Sequence, residues 1–475
     1  MINDFFNMLL PQACIVFFIF IEFTCSLFFK EKRGELASMI SAVGVSLSIV
    51  MLSTVQIEPQ YFAMRGALMS DSYTLLFHFI ILLCGFFVIL LSKNLLLDKK
   101  NNAFSYQAIL LTSILGAMSV VSSNDFLTLF ISLELLAFPI YFLIASRTGY
   151  YSKEASFKYI ITSAVSTGVF LFGVSYLYGL TSTLNFNEIY EIIVEQQASL
   201  IYSFATIMTI LGLISKLAIF PFANWIIDVY KGSETSVLAF LTTIPKLALF
   251  GILCRLLVFP LSGTFELTIV LAILSIVTAL WANTYAIREK NVKVILACSS
   301  SANAAYILFA ASLVSVYNLS TVIFYLLCYV LMNLAVFGFL NVAEYNEVGF
   351  NVEEFKGLFN SNQVLALAYA VGIIGLAGFP ITSGFVAKIY LFSAIAHSGL
   401  IFVPFLLILL VLTVVALYYY LKIIRPLFEK VEKTILLRTS FSQKFVLFFT
   451  IFVTILIGIY PEKLVELCRF IAYNI

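Results

Sequence analysis

The chain has 475 residues, is 62% hydrophobic and only 11% charged, and its mean hydropathy is +1.06. That balance excludes a soluble globular domain. The net charge of +2 falls at helix ends with no basic tract, so the chain carries no electrostatic footprint for nucleic acid.

A membrane-spanning helix needs about 20 predominantly apolar residues. On that length fourteen stretches qualify, in chain order 10–29, 36–55, 73–92, 105–122, 126–146, 157–179, 201–230, 236–259, 265–287, 292–314, 318–342, 363–397, 402–424 and 444–461. The first lacks a charged n-region and a cleavage site and reads as a retained span. Four segments divide the chain: a three-helix N-terminal part (1–100), two five-helix repeats (101–260 and 261–425), and a connector with a final helix (426–475). The expected fold is an all-α polytopic membrane protein.

Two stretches exceed what a bilayer requires, and each contains a break. Pro221 follows Lys216, and Gly378-Phe379-Pro380 precedes Lys388. Proline removes a backbone donor and clashes with the preceding turn. Non-helical backbone at membrane depth survives only where protein buries it or where it lines a cavity. Broken helices at corresponding places in two halves point to inverted repeats around a transport path. Each five-span repeat here has its broken helix fourth.

Orientation follows the Lys/Arg bias between alternate loops. One set of loops holds Lys30, Lys32, Arg33, Lys93, Lys99, Lys100, Arg147, Lys153, Lys231, Arg288, Lys290, Lys293, Lys356, Arg425, Lys430, Lys433, Arg438 and Lys444. The other holds Arg65, with Lys463 and Arg469 near the C-terminus. The first set is expected on the cytoplasmic side, with both termini on the periplasmic side of a bacterial inner membrane. Stretch 181–200, with Glu188, Glu191 and Glu195 among apolar residues, reads as a short surface helix. Loops 343–362 and 425–444 read as partly helical connectors.

Glu134, Lys216, Lys246 and Lys388 stand inside these spans. Unpaired, four such charges cost on the order of 10 kcal/mol at about 2.5–3.5 kcal/mol each. Intramembrane charges of this kind mark ion paths and proton relays. A Glu and a Lys that meet titrate as one coupled pair, so moving a partner releases or captures a proton. Lys158, at the edge of its helix, and Arg255, two-thirds along the eighth span, read either as snorkelling residues or as part of a channel. Ser163, Ser166, Thr167, Ser299, Ser300 and Ser301 read either as helix-packing residues or as water holders. The seven cysteines (Cys14, Cys25, Cys84, Cys254, Cys298, Cys328 and Cys468) form no CxxC and read as packing residues. His78 and His397 suggest no metal site, and no Gly-rich phosphate loop is present, so no cofactor is expected in this chain.

Five segments together, SLELLAFPIY (132–141), EASFKYIITSAVSTGVFLFGVSYLYGLT (154–181), KLAIFPFANWIIDVYKG (216–232), PKLALFGILCRL (245–256) and GFPITSGFVAKIYLF (378–392), resemble the antiporter-like membrane subunits of proton-pumping NADH:quinone oxidoreductase, respiratory complex I. The DVYKG turn is most similar to subunit N, the counterpart of mitochondrial subunit 2. The resemblance implies that Glu134 and Lys216 form a switchable pair, that Lys246 is a relay and that Lys388 is the terminal group before the exit. It implies partnership with the other membrane and peripheral subunits of that complex, which as a whole uses NADH, flavin, iron–sulfur clusters and quinone. The alternatives are a subunit of a multi-subunit cation/proton antiporter and a structural subunit that does not pump. The chain departs from the family where Ala223 replaces a usual histidine and where Asn303 replaces another. An amide cannot carry a proton, so the departure at Asn303 bears on the path between Lys246 and Lys388.

Overall fold

The computed structural model describes residues 2–29, 34–55, 61–97, 103–147, 149–196, 199–261, 265–430 and 437–474. Lys30, Lys32, Arg33, Lys99, Lys100 and Lys433 lie outside them, as does the side chain of Glu195.

In chain order the helices are α1 (Ile2–Phe28), α2 (Gly34–Leu52), α3 (Ser72–Leu97), α4 (Ala103–Ser122), α5 (Phe126–Ala145), α6 (Tyr150–Thr181), α7 (Phe186–Gln196), α8 (Leu200–Ser215), α9 (Trp225–Gly232), α10 (Thr235–Val258), α11 (Phe265–Arg288), α12 (Val292–Ser312), α13 (Val316–Tyr345), α14 (Leu358–Ser361), α15 (Gln363–Ala377), α16 (Ser383–His397), α17 (Val403–Ile424), α18 (Phe441–Ile459) and α19 (Glu462–Tyr473). Among the described residues, twelve helices are long and apolar enough to cross a membrane, and α8 and α15 are shorter apolar helices. These two are the first halves of the broken stretches; α9 and α16 follow the breaks. The fourteen stretches expected from sequence are therefore all present as helix.

Polar residues set many of the helix starts. Asp125 accepts from the Thr128 amide at α5, Ser199 from Tyr202 at α8, Asn291 from Lys293 at α12 and Ser315 from Asn318 at α13. Ser440 and Gln443 form a reciprocal capping box at α18. Such caps satisfy amides that a helix start leaves unbonded. The amphipathic α7 falls within the expected surface helix. An amphipathic α19 after the last span was not anticipated, nor was a small hairpin of β1 (Tyr61–Ala63) and β2 (Leu68–Ser70).

Contacts group the chain into two compact units. The first comprises Met1–Leu217, Thr243–Leu267 and Tyr473–Ile475, and the second Ala218–Thr242 and Thr268–Ala472. In the first, an isolated antiparallel bridge joins Asp125, just before α5, to Asn185, just before α7. In the second, a bridge of the same kind joins Asn291, just before α12, to Asn351. Each bridge is flanked by two backbone hydrogen bonds: Phe126 N to Leu184 O and Phe186 N to Asn124 O in one, Val292 N to Phe350 O and Val352 N to Lys290 O in the other.

α6 and α8 lie against each other with almost nothing between their backbones. A Cβ on Gly173 would sit 2.4 Å from the Thr209 amide nitrogen, and one on Gly212 2.4 Å from that of Phe170. Small residues of this kind let membrane helices approach closely. The α10 and α12 apolar stretches are buried along their whole length, which makes them interior helices.

Candidate functional site

The close α6–α8 approach brings the end of α8 to a polar spot on α5 and α6. Lys216 is the C-terminal cap residue of α8, where the helix stops. Its Nζ lies 3.7 Å from Glu134 Oε1 and donates to Ser163 Oγ at 2.9 Å. Thr167 Oγ1 donates to the same Glu134 oxygen at 2.8 Å. The four side chains thus form a continuous polar chain from α5 through α6 to the break. The Lys216 side chain is 7% exposed and that of Glu134 24%. Glu134 also borders a groove of about 670 Å³ whose other walls include Phe130, Phe138, Tyr141 and Leu171.

Beyond Lys216 the backbone leaves the helix. Ala218 adopts φ 60°, Pro221 follows a cis peptide bond, and α9 begins only at Trp225. Lys246 lies next to Pro245 in α10, and it is buried.

Lys388 closes the second break. Its Nζ donates to the carbonyl oxygens of Leu376 and Ala377 at 3.0 and 2.9 Å. These carbonyls belong to the last turn of α15, which has no further turn to bond them. Gly378 ends α15 in the left-handed region at φ 83°, its amide bonded to Ile374 and Gly375. A Cβ there would also meet Lys388 Cδ at 2.8 Å. Pro380 and Ile381 complete the break, and Ile381 is left-handed at φ 76°.

Asn303 sits within a buried hydroxyl cluster. Tyr325 OH donates to its Oδ1 at 2.7 Å. Its Nδ2 donates to Ser299 O at 2.8 Å and lies 3.4 Å from Tyr420 OH. Ser299 Oγ and Tyr420 OH are 2.5 Å apart. One residue on, Ser300 Oγ meets Tyr329 OH at 2.9 Å and accepts from Tyr230 OH at 3.2 Å. The sequence marked the serines and Asn303; the tyrosines come from α9, α13 and α17 and carried no local signal.

The other residues singled out from sequence fare differently. Lys158 pairs with Glu154 one turn away at 2.8 Å with its side chain 42% exposed. Arg255 does not snorkel: its side chain is 1% exposed and its Nη2 lies 2.6 Å from Asp71 Oδ2. Its guanidinium also lies 5.2 Å from the Tyr73 ring centre, a cation–π contact. Asp71 accepts from the Thr74 amide and hydroxyl as well. Burial pushes the Asp71 carboxyl up, but Arg255 and the two Thr74 bonds outweigh it and hold the group below its ordinary value. A second missed pair joins Lys293 to Glu344 at 3.4 Å, with Lys293 Nζ also donating to Ser233 O at 3.0 Å. A third missed group is Glu22 in α1, fully buried, which accepts from Ser41 Oγ at 2.7 Å. An intramembrane Arg255 without an evident partner was itself the signal that an acid had to be sought.

Among the described residues no group of three or more His, Cys, Asp or Glu side chains gathers as a metal site.

The transmembrane family model described as NADH:quinone oxidoreductase/Mrp antiporter matches residues 123–415. The chain is 31% identical over 475 residues to the NADH-quinone oxidoreductase subunit N of Bacillus anthracis, covering 96% of this chain and 93% of that protein. Its fold is similar to a chain of respiratory complex I from Thermus thermophilus, with a TM-score of 0.82 at 25% identity, covering 96% of this chain and 98% of that one. It is also similar to a chain of an archaeal membrane-bound sulfane sulfur reductase, with a TM-score of 0.86 at 23% identity over 98% of this chain and 97% of that one.

Proposed function

Because the chain belongs to the NADH:quinone oxidoreductase/Mrp antiporter transmembrane family, we propose that it is the subunit N of an NADH:quinone oxidoreductase and translocates protons. In this reading it lies in a bacterial inner membrane with both termini on the periplasmic side. NADH, flavin, iron–sulfur clusters and quinone are handled by partner subunits, and this chain supplies a proton path. Relatives bearing the subunit N name favour this reading over a stand-alone cation/proton antiporter.

The observation that carries the proposal is the Glu134–Lys216 pair at the end of a broken helix. Two unit charges about 4 Å apart attract by about 4 kcal/mol at an effective dielectric of 20. Moving one proton against a membrane potential costs about 2.3 kcal/mol per 100 mV. Opening the pair therefore costs about what one proton costs against the order of 200 mV. In this reading electron transfer in the partner subunits supplies the energy that opens it.

In the closed state Thr167 and Lys216 share one oxygen of Glu134, and Ser163 holds the ammonium. When the end of α8 moves, Glu134 loses its cation and becomes a proton acceptor. Lys216 loses its anion and can hand a proton to Ser163 or to water. Lys246 acts as the relay and Lys388 as the terminal group, and both are buried.

The test is NADH oxidation and proton movement measured together on the assembled complex in sealed vesicles. Lys216→Ala is expected to keep assembly and NADH oxidation measurable while fewer protons move per NADH. An unchanged ratio would make the chain a scaffold.

A further inference from the structure

The two bridges supply a register between the stretches that follow them. The bridged residues stand sixty apart in both, Asp125 to Asn185 and Asn291 to Asn351. Nine residues beyond Asp125 is Glu134, and nine beyond Asn291 is Ser300. Glu134 is bonded to the next helix, α6, through Thr167, and Ser300 is bonded to its next helix, α13, through Tyr329. Where the first stretch keeps a carboxylate, the second keeps a hydroxyl within a cluster of hydroxyls.

The cluster is built rather than incidental. Tyr230, Tyr325, Tyr329 and Tyr420 are all within 1% of full burial, and Ser299, Ser300 and Asn303 within 2%. Packing alone is served as well by phenylalanine, which spares the cost of burying a hydroxyl. Each hydroxyl both donates and accepts, so a row of them can receive a proton at one oxygen while releasing another from the next. An amide cannot: its oxygen only accepts and its nitrogen only donates.

We propose that protons cross unit 2 through this hydroxyl cluster, with Tyr420 and Ser299 carrying them past Asn303 and with Asn303 positioning Tyr325 and Tyr420. The proposal rests on the proton-translocation reading above. Asn303 divides the labour through its two ends, accepting from Tyr325 and facing Tyr420 with its donor. Tyr420 and Ser299 are in direct hydrogen-bond contact at 2.5 Å, and either hydroxyl can be the donor. A transfer proceeds as a proton arrives on one hydroxyl oxygen while that oxygen's own proton moves to the next. No group gains or loses a proton overall, and rotation of the hydroxyls restores the starting directions. Asn303 is a positioning residue, since it holds the carriers and is not one.

The experiment compares five variants of the assembled complex, Lys216→Ala among them, in sealed vesicles, reading protons moved per NADH oxidised. Tyr420→Phe and Ser299→Ala are expected to lower that ratio to the level of Lys216→Ala. Tyr418→Phe, on the same helix but 60% exposed, is expected to leave it unchanged. Ser299→Ala decides the matter if Tyr420→Phe fails to assemble. Adding Asn303→His to Tyr420→Phe is expected to recover the ratio, because an imidazole carries the proton itself; packing damage would not be mended that way, so no recovery overturns the proposal. An unchanged ratio in both single variants, with Lys216→Ala impaired, overturns it and leaves the translocation reading intact. An unchanged ratio in Lys216→Ala itself brings down both.

Discussion

Lys388 Nζ donates to the carbonyl oxygens of both Leu376 and Ala377, so the ammonium of one half-helix closes the open end of the half-helix before it. A hydrogen bond to a charged group contributes about 1.5–3 kcal/mol. Lys388→Met keeps the apolar stem and strands two carbonyls. The amides of Gly378 and Phe379, bonded to Ile374 and Gly375, should then exchange with deuterium faster, about tenfold for each 1.4 kcal/mol lost. Exchange at wild-type rates would show that Lys388 does not hold the break together.

Both breaks contain a residue other than glycine in the left-handed region, Ala218 and Ile381. For an L-residue that conformation costs roughly 1–2 kcal/mol, and a β-branched side chain there is a clear outlier. Backbone strain of this size collects where a chain must move or bind. Ile381→Gly should therefore raise the midpoint of thermal aggregation of the purified complex, despite the entropy glycine adds to the unfolded chain. A lower midpoint would mean that the Ile381 side chain contributes more through packing than its backbone costs.

Asp71 and Arg255 form an ion pair with side chains 2% and 1% exposed. Breaking such a pair by removing one partner costs about 3–5 kcal/mol, whereas replacing both by apolar residues is often neutral. Arg255→Met should thus destabilise strongly, and Asp71→Leu/Arg255→Met should recover most of the loss in a double-mutant cycle. The pH dependence has a definite sign. The folded Asp71 carboxyl lies below its ordinary value, which for an aspartate is about 4. Its contribution is complete above that value and fades as pH falls through the depressed folded one. The acid-induced loss of stability should accordingly be shallower in the double variant than in the wild type.

Glu134→Gln preserves the shape and leaves an oxygen to accept from Thr167, but it removes the charge that Lys216 faces. Proton movement per NADH should fall about as far as in Lys216→Ala. Combining the two should add little, since residues that act as one switch are not additive. A double variant far worse than either single one would place the residues in separate steps.

The spans were legible because the bilayer imposes its rule locally: about 20 apolar residues suffice, whatever else the chain does. The breaks were legible for the same reason, since Pro221 and Pro380 interrupt an apolar run in plain view. Partners distant in sequence were not. Asp71 and Arg255 are 184 residues apart, and nothing beside Asp71 distinguishes it from a solvated residue at a helix start. Lys293 and Glu344 read as loop charges because each stands near a span end, yet they are paired and largely buried. Tyrosine has two readings in a membrane chain, an interfacial anchor or a buried hydroxyl, and only packing told Tyr418 from Tyr420. α19 escaped notice because it is too short and too polar to register on a rule made for spans.

Gly173 and Gly212 have a consequence for the reach of a proton. A proton moves directly between groups held about 2.6–3.2 Å apart, and Lys216 Nζ sits 2.9 Å from Ser163 Oγ. That interval depends on how closely α6 and α8 approach, which is set at two positions where a side chain has nowhere to go. One methyl group added at either would wedge the helices apart and turn a hop into a gap. The tolerance of the switch is thus set by what two residues lack, one of them a single turn before Lys216.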